Sequence, residues 1–321
     1  MTELLLATRG TPLAIAQTRL VQRALASIKP QLQCHVVKVI THGDRSVINN
    51  QSLIEGAKSL PGQFTSALTD FLKSGHADIA VHSLKDLPIS SSQELPIVAI
   101  LSRGSPHDII VIHKDVYDGD IIATMKRGII VGTSSPRRTA LLQHYCPKTK
   151  IIPIRGSVET RIKLCLNRTV DAIVIAKAGI DRLEIDIDSH ELIQFNLPPL
   201  VWPIAPGQGA IAIQARNEVD IVDVIRQIDH EKTRIAVSLE RQALKALGKS
   251  CSVAMGAYAC EGLERQWNMH YGYISKNRKW ETYVIQGSES ECSAVLKSWR
   301  LTGKPAGFME NFGFTIDLIE E

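Results

Sequence analysis

The chain has 321 residues, enough for two or three domains rather than one. Hydrophobic residues make up 44%, ample for ordinary cores, whereas aromatics at 5% are too few for a platform that stacks nucleic-acid bases. A net charge of +4 is too mild by itself to imply DNA binding, so where the arginines sit matters more than their number.

Leu4 to Ala7 reads as a first strand, followed by a turn at Thr8-Arg9-Gly10. Thr11 is a good N-cap and Pro12 suits the first helical position. Leu13, Ala16, Leu20, Val21, Ala24 and Ile28 then recur at helical spacing. The free N–H groups of that helix start, with Arg9 and the Thr11 hydroxyl beside them, suit an anion. Without a ligand the same residues make an ordinary capped helix, and only the arginine in the turn asks for more. Val36 to Thr41 reads as a second strand, residues 46–63 as a mobile polar loop, and Phe64 to Lys73 as a helix.

Asp78-Ile79-Ala80-Val81-His82-Ser83 is a short apolar run of the kind buried in a parallel sheet. Lys85 and Asp86 follow past its end, and Pro88 stops any regular continuation. Ligands of open α/β sheets bind beyond the carboxyl ends of strands, where a cation and a carboxylate can grip an acid and move a proton. An isolated pair of this kind is more often a solvated charge pair; what distinguishes this one is the recurrence of Arg and Ser/Thr at other strand-to-helix junctions.

Ile97 to Leu101 is a further strand, and Arg103-Gly104-Ser105-Pro106 is a candidate crossing between domains. Beyond it, Asp108 to His113 and Gly128 to Gly132 read as strands. Thr133-Ser134-Ser135-Pro136-Arg137-Arg138 then repeats the Thr11-Pro12 construction with two arginines in the first helical turn. Cations there oppose the helix dipole, by about 0.3–1 kcal/mol each, and a local rule broken twice running points to function. Ile151 to Ile154 leads into Arg155-Gly156-Ser157, with Ser157 as cap and Arg161 a turn further on. Asp171 to Ile180 matches the layout of the Asp78 stretch, with Lys177 after the strand and then Arg182, so two α/β domains of similar build are expected to face each other across a cleft. The Pro/Gly-rich passage from Leu197 to Gly209 is the expected return crossing. Ala210 to Gln214 would then be an antiparallel strand of the first domain, and Thr233 to Leu247 an amphipathic helix. The remainder alternates strands with one helix near 288–301, a smaller α/β unit. The expected domains are 1–103 with 206–221, then 104–205, then 222–321.

Six cysteines, at 34, 146, 165, 251, 260 and 292, form no C-x-x-C pair and no disulfide framework. The run Leu4–Ala7 is too short for a signal-peptide core, and no apolar stretch approaches membrane-spanning length. These features suit a cytoplasmic protein with no metal, no membrane association and no nucleic-acid partner.

Taken together, Ala7-Thr8-Arg9 with Pro12-Leu13-Ala14, Ala80 to Pro88, Val131 to Ser135 with Arg137-Arg138, Arg155-Gly156 with Thr160-Arg161, Pro206 to Ala210, and Cys251 resemble the porphobilinogen deaminase family, in the family's order and near its spacing. The resemblance runs to about residue 260. It implies three α/β domains, the first two similar to type II periplasmic binding proteins. It implies a transferase of tetrapyrrole biosynthesis that condenses four porphobilinogens head to tail, with loss of ammonia, and releases hydroxymethylbilane to water. It implies a dipyrromethane cofactor, a permanent primer on the sulfur of Cys251, and a monomer.

Residue by residue, the resemblance makes Asp86 the catalytic carboxylate beside the cation left when ammonia departs. It gives Lys85, Asp86, Thr133, Ser134, Ser135, Arg137, Arg138, Arg155, Gly156 and Ser157 to the cofactor. To the substrate it gives Arg9, Thr11, Arg155, Arg161, Arg182 and Gln208. Each pyrrole carries an acetate and a propionate, and guanidinium forks suit carboxylates. Cys251 lies near Lys249 in a polar loop, which fits a thiolate of lowered pKa, whereas Cys260 lies in a strand pattern and reads as structural. The chain departs from the family at Lys249-Ser250, where Gly-Gly is usual, and at Ala254, Pro136 and Ser157. It also departs at Pro61-Gly62-Gln63-Phe64 with Ala67, where a lysine and a glutamate are lost. Two other readings compete: a non-catalytic two-domain module for a small anionic ligand, and a nucleic-acid binder using the arginines on phosphates. The first leaves Cys251 and Asp86 without a task, and the dispersal of the arginines opposes the second.

Overall fold

This computed structural model describes residues 2–39, 63–89, 94–188, 191–248, 254–275, 277–302 and 308–309. Residues 46–62 of the loop read from the sequence, Lys249-Ser250 and Cys251 lie outside them. The chain divides into two compact units, with breaks between Gly104 and Ser105, between Pro206 and Gly207, and between Val237 and Ser238.

The first unit is built on a five-stranded sheet, in the order β2(Gln33–Val39), β1(Glu3–Arg9), β3(Ile79–Ser83), β10(Ile211–Ala215), β4(Ile97–Ile100). β1 pairs in parallel with β2 and β3, whereas β10 is antiparallel to both of its neighbours. The near-continuous apolar runs follow from burial on both faces. Leu4, Leu6, Ile79, Val81, Ile211 and Ile213 pack with Val21 and Leu25 of α1(Pro12–Ile28). Ala7 and Ala80 face the other way, onto Leu68 and Leu72 of α2(Gln63–Lys73). Pro12 opens α1, and the Thr11 hydroxyl accepts from the Ala14 N–H at 3.3 Å, as the cap motif requires. The first core also takes in Ile221, Val222 and Ile225 from a helix at Val219–Arg226. The chain therefore stays in the first unit through Val237, past the boundary at 221 read from the sequence.

The second unit holds two sheets. The larger has the order β7(Lys150–Ile152), β6(Ile130–Gly132), β8(Ala172–Ala176), β5(Asp108–His113), β9(Leu192–Leu197). Its pairing repeats that of the first sheet: β6 is parallel to β7 and β8, and β5 is antiparallel to β8 and β9. All six residues of β5 are buried, because Ile110 and Ile112 enter one core and Ile109 and Val111 the other. The first of these cores is closed by α3(Ile121–Lys126) and α4(Pro136–Tyr145), the second by α5(Val158–Leu166) and α6(Lys177–Leu183).

The matching layouts noticed at Asp78 and Asp171 have one physical cause. Asp78 accepts from the Leu5 N–H at 2.7 Å and Asp171 from the Ile130 N–H at 2.8 Å. Each carboxylate thus fixes the strand beside its own at the start of a parallel pair.

The smaller sheet is antiparallel, β11(Met255–Glu261), β12(Trp267–Ile274), β13(Trp280–Gly287), β14(Phe308–Met309). The helix Glu289–Thr302 covers it, stacking Trp299 on Tyr271 at 5.0 Å. This sheet is tied to the larger one. Trp280 joins the core that contains α4, and the Ala257 N–H donates to the Ile204 carbonyl at 2.8 Å. A Cβ on Gly256 would lie 2.1 Å from the Pro203 oxygen, so only glycine allows this approach. Gly256→Ala should therefore force the backbone apart and destabilise the fold by about 1–3 kcal/mol or more. Urea unfolding monitored by tryptophan fluorescence measures this, and an unchanged midpoint would show that the two sheets do not depend on the contact.

Candidate anion site and catalytic turn

In the first unit the chemistry-bearing residues gather at one edge of the sheet. β1 ends at Arg9 and β3 at Ser83; because β10 is antiparallel, its beginning lies beside the end of β3, with Ile211 opposite Ser83. The chain then makes a single 3-10 turn, Leu84–Asp86. Leu84 is fully buried and its N–H donates to the Ala210 carbonyl at 3.1 Å, which pins the turn to the sheet. Gly207 permits the neighbouring bend: its φ is +79°, and a Cβ there would meet Leu84 Cγ at 2.9 Å. Lys85 is half-buried and donates to Gln208 Oε1 at 3.5 Å, while Asp86 is exposed. Gln208 is itself buried, and its carbonyl accepts from Arg103 Nε at 2.8 Å. Ser83 exchanges hydrogen bonds with Gln17 of α1, a partner 66 residues away in the chain. Behind the turn, burial pushes the His82 imidazole down to about 4, against a hydrogen bond to Gln214, so it is neutral at physiological pH.

The second unit has the corresponding edge. Thr133 is buried, its N–H donating to the Ile152 carbonyl at 3.0 Å, and Ser134 Oγ donates to the Ile154 carbonyl at 2.7 Å. Ser135 caps α4 by accepting from the Arg138 N–H at 3.4 Å, and Ser157 caps α5 by accepting from the Thr160 N–H at 3.3 Å. Gly156, at φ +106°, makes the turn between Arg155 and that cap, and a Cβ there would meet Thr160 Cγ2 at 2.8 Å. Arg161 donates from Nε to the Gly156 carbonyl at 3.1 Å.

Arg138, Arg155 and Arg161 form one electrostatic group. Burial lowers Arg161 to about 10, and the charges of Arg138 and Arg155 push it the same way. Guanidiniums gathered near helix N-termini repel one another, and an anion placed among them would ease that repulsion. Burial lowers Arg182, and Asp181 opposes the shift.

Arg137 and Arg138, which the resemblance gives to the cofactor, share a protein partner. Both are buried and both donate to Asp108, at 2.8 Å and 2.6 Å. Trp202 Nε1 adds a third donor at 2.9 Å. Sequence reasoning missed Asp108. Its one local signal is a carboxylate at the head of an otherwise apolar strand. Among the described residues, no group of His, Cys, Asp and Glu is placed to hold a metal, and no helix is long and apolar enough to cross a membrane.

Because Arg138 and Arg155 disfavour the charge on Arg161, removing Arg161 should relieve the ligand-free protein. In a Cys251→Ser background, which removes the thiol that the family resemblance ties to a covalent pyrrole, Arg161→Met should raise the unfolding free energy in urea by about 1 kcal/mol. A fall of similar size would show instead that protein partners already satisfy the cluster.

The family model for porphobilinogen deaminase, dipyromethane cofactor binding domain, matches residues 4–223. The chain is 38% identical to the porphobilinogen deaminase of Syntrophomonas wolfei, covering 81% of each chain. It is 36% identical to that of Limosilactobacillus reuteri over 80% of this chain and 81% of the relative. A probable porphobilinogen deaminase of Methanosarcina acetivorans is 34% identical over 80% of this chain and 76% of its own. Among solved structures, substrate-binding domain 2 of Lactococcus lactis GlnP is 12% identical with a TM-score of 0.43, covering 71% of this chain and 88% of that one. With capped arginine turns in the second unit, a pinned Lys-Asp turn in the first, and a family match over most of its length, the chain belongs to the porphobilinogen deaminase family.

Proposed function

We propose that this protein is a hydroxymethylbilane synthase. It condenses four porphobilinogens head to tail on a dipyrromethane attached to Cys251, with loss of ammonia at each addition, and releases the linear tetrapyrrole to water. The observation that carries the reading is the group of Arg138, Arg155 and Arg161 at two serine-capped helix starts, because a pyrrole chain bearing acetates and propionates is the polyanion such a group needs.

The donor set fits the cofactor. Guanidinium forks, the hydroxyls of Thr133, Ser135 and Ser157, and helix N–H groups are all suited to donate to carboxylates, as to other oxyanions. When bound, the dipyrromethane supplies an electron-rich pyrrole carbon to which the next unit is joined. Arg138, Arg155 and Arg161 would neutralise its carboxylates, and Lys85 would pair with one more. Arg9, Thr11, Arg182 and Gln208 are proposed for the incoming substrate.

Asp86 has the setting its role demands. The turn below it is fixed by buried Leu84, while its own carboxylate stands exposed to reach a ligand. Its oxygens can face the positive charge that develops on the substrate as ammonia leaves, and can accept the proton lost at the new join. The four-stranded antiparallel sheet with its helix is proposed as the cofactor-attachment domain, since β11 begins four residues after Cys251 in sequence. A monomer working in the cytoplasm suits this reading, and the five described cysteines are free thiols.

Asp86→Ala should fold normally yet lose about 10²–10³ in kcat, the usual loss when one preorganised electrostatic group is removed. Peptide mapping of the active wild type should find two pyrrole units on Cys251 alone among six cysteines. Activity within a few-fold of wild type in the variant, or an unmodified Cys251 in active protein, would overturn the assignment.

A further inference from the structure

On the α1 side of the first sheet, Leu4 and Leu6 of β1 enter the apolar core, and the next side chain on that face is Thr8, fully buried. Thr18 of α1 is fully buried too. Valine would fill either site with the same shape and leave no hydroxyl to satisfy, so each hydroxyl carries a desolvation cost that its hydrogen bond must offset. Both donate to one atom, the Ala14 carbonyl, Thr8 Oγ1 at 3.2 Å and Thr18 Oγ1 at 2.9 Å. The Thr18 bond runs back to the preceding turn of its own helix and holds nothing outside α1. The Thr8 bond crosses from strand to helix.

Ala14 is held on its other side as well, since its N–H donates to the Thr11 hydroxyl at 3.3 Å. Thr8 and Thr11 flank Arg9 and Gly10, so this two-residue turn is fastened at both ends to one residue of α1. Arg9 enters it from its pairing with Val39 of β2. Packing does not fasten it further at Gly10, where a Cβ would meet no atom of the described residues within 4 Å. Three residues past Ala14, Gln17 exchanges hydrogen bonds with Ser83, on the strand that leads to Lys85 and Asp86. The seating of α1 therefore bears on the Arg9 turn and on the catalytic turn together.

We propose that Thr8 is a positioning residue: its hydroxyl fixes the Arg9-Gly10 turn to α1 and so sets the place of Arg9 relative to the Lys85-Asp86 turn. The inference rests on the proposed function, which gives Arg9 to the incoming substrate, and deepens it by naming what holds that arginine's backbone. A carboxylate gripped away from the reacting atoms adds binding that ground state and transition state share, so a loosened Arg9 shows in KM rather than in kcat.

The test compares Thr8→Val, Thr8→Ser, Thr18→Val, Arg9→Met and the double variant Thr8→Val/Arg9→Met, each as the full chain carrying its primer. Steady-state kinetics with porphobilinogen give KM and kcat, and urea midpoints give stability. Thr8→Val should raise KM about 3- to 10-fold, the worth of one hydrogen bond, with kcat within about twofold. Thr8→Ser, which keeps the hydroxyl, should bring KM back to within about twofold of wild type. Thr18→Val loses a bond to the same carbonyl without freeing the turn, so its urea midpoint should fall while its KM stays within about twofold. In the double variant the loss of Thr8 should add nothing to the KM of Arg9→Met, because Thr8 acts through Arg9. If Thr8→Val does not fold, Thr8→Ala takes its place with the same expectation. A normal KM in the folded valine or alanine variant, no rescue by serine, an equal rise in Thr18→Val, or additive rises in the double variant would overturn the proposal. Wild-type protein with neither added pyrrole mass nor turnover of porphobilinogen would overturn the proposed function instead. Hydrogen exchange would then decide the seating alone: the Ala14 amide should exchange about tenfold faster in Thr8→Val than in wild type, and equal rates would refute it.

Discussion

A carboxylate buried from solvent costs several kcal/mol in lost hydration unless donors replace the water. Asp108 has as donors Arg137 and Arg138, from the first turn of α4, and the Trp202 indole, from the return segment. The anchor sets where the second helical start can lie, because α4 must bring its first two arginines onto one point at the head of β5. It also sets where the return segment runs, because Trp202 and Pro203 are held to the same centre. A buried ion pair of this sort adds little net stability over well-packed apolar residues, but breaking one side of it costs about 3–5 kcal/mol. The network is better understood as fixing a geometry than as strengthening a core.

The two larger sheets show how one plan serves two chemical tasks. Their pairing directions are the same, and an aspartate opens the third parallel strand in each. At the functional edge they differ. The first unit follows its strand with a tight turn pinned through Leu84, which presents one lysine and one carboxylate. The second follows its strands with capped helices that present arginines. A short rigid turn suits a group that must meet a reacting atom, whereas helix starts suit groups that must hold several carboxylates at once.

Much of this was legible because it is local. The caps at Thr11, Ser135 and Ser157, the prolines at 12 and 136, and the apolar middle of β5 each follow from residues within a few positions of one another. The antiparallel β10 was legible from the Pro/Gly crossing before it. What stayed hidden is non-local. Asp108 meets Arg137 and Arg138 across 29 and 30 residues and Trp202 across 94, and nothing in the spacing links them. The edge strand β9 escaped notice although Ile193, Phe195 and Leu197 alternate with Gln194 and Asn196, because its end runs into the Pro/Gly-rich passage read as a crossing. The helix Val219–Arg226 escaped because it is two turns long, and only its place in the first core shows which unit it serves.

The most direct measurement is a crystal structure of the protein carrying its dipyrromethane. Carboxylates of the cofactor should lie within hydrogen-bond distance of Arg138, Arg155 and Arg161, with Asp108 still bound to Arg137 and Trp202. A broken Asp108 network, or a cofactor held away from all three arginines, would contradict the account.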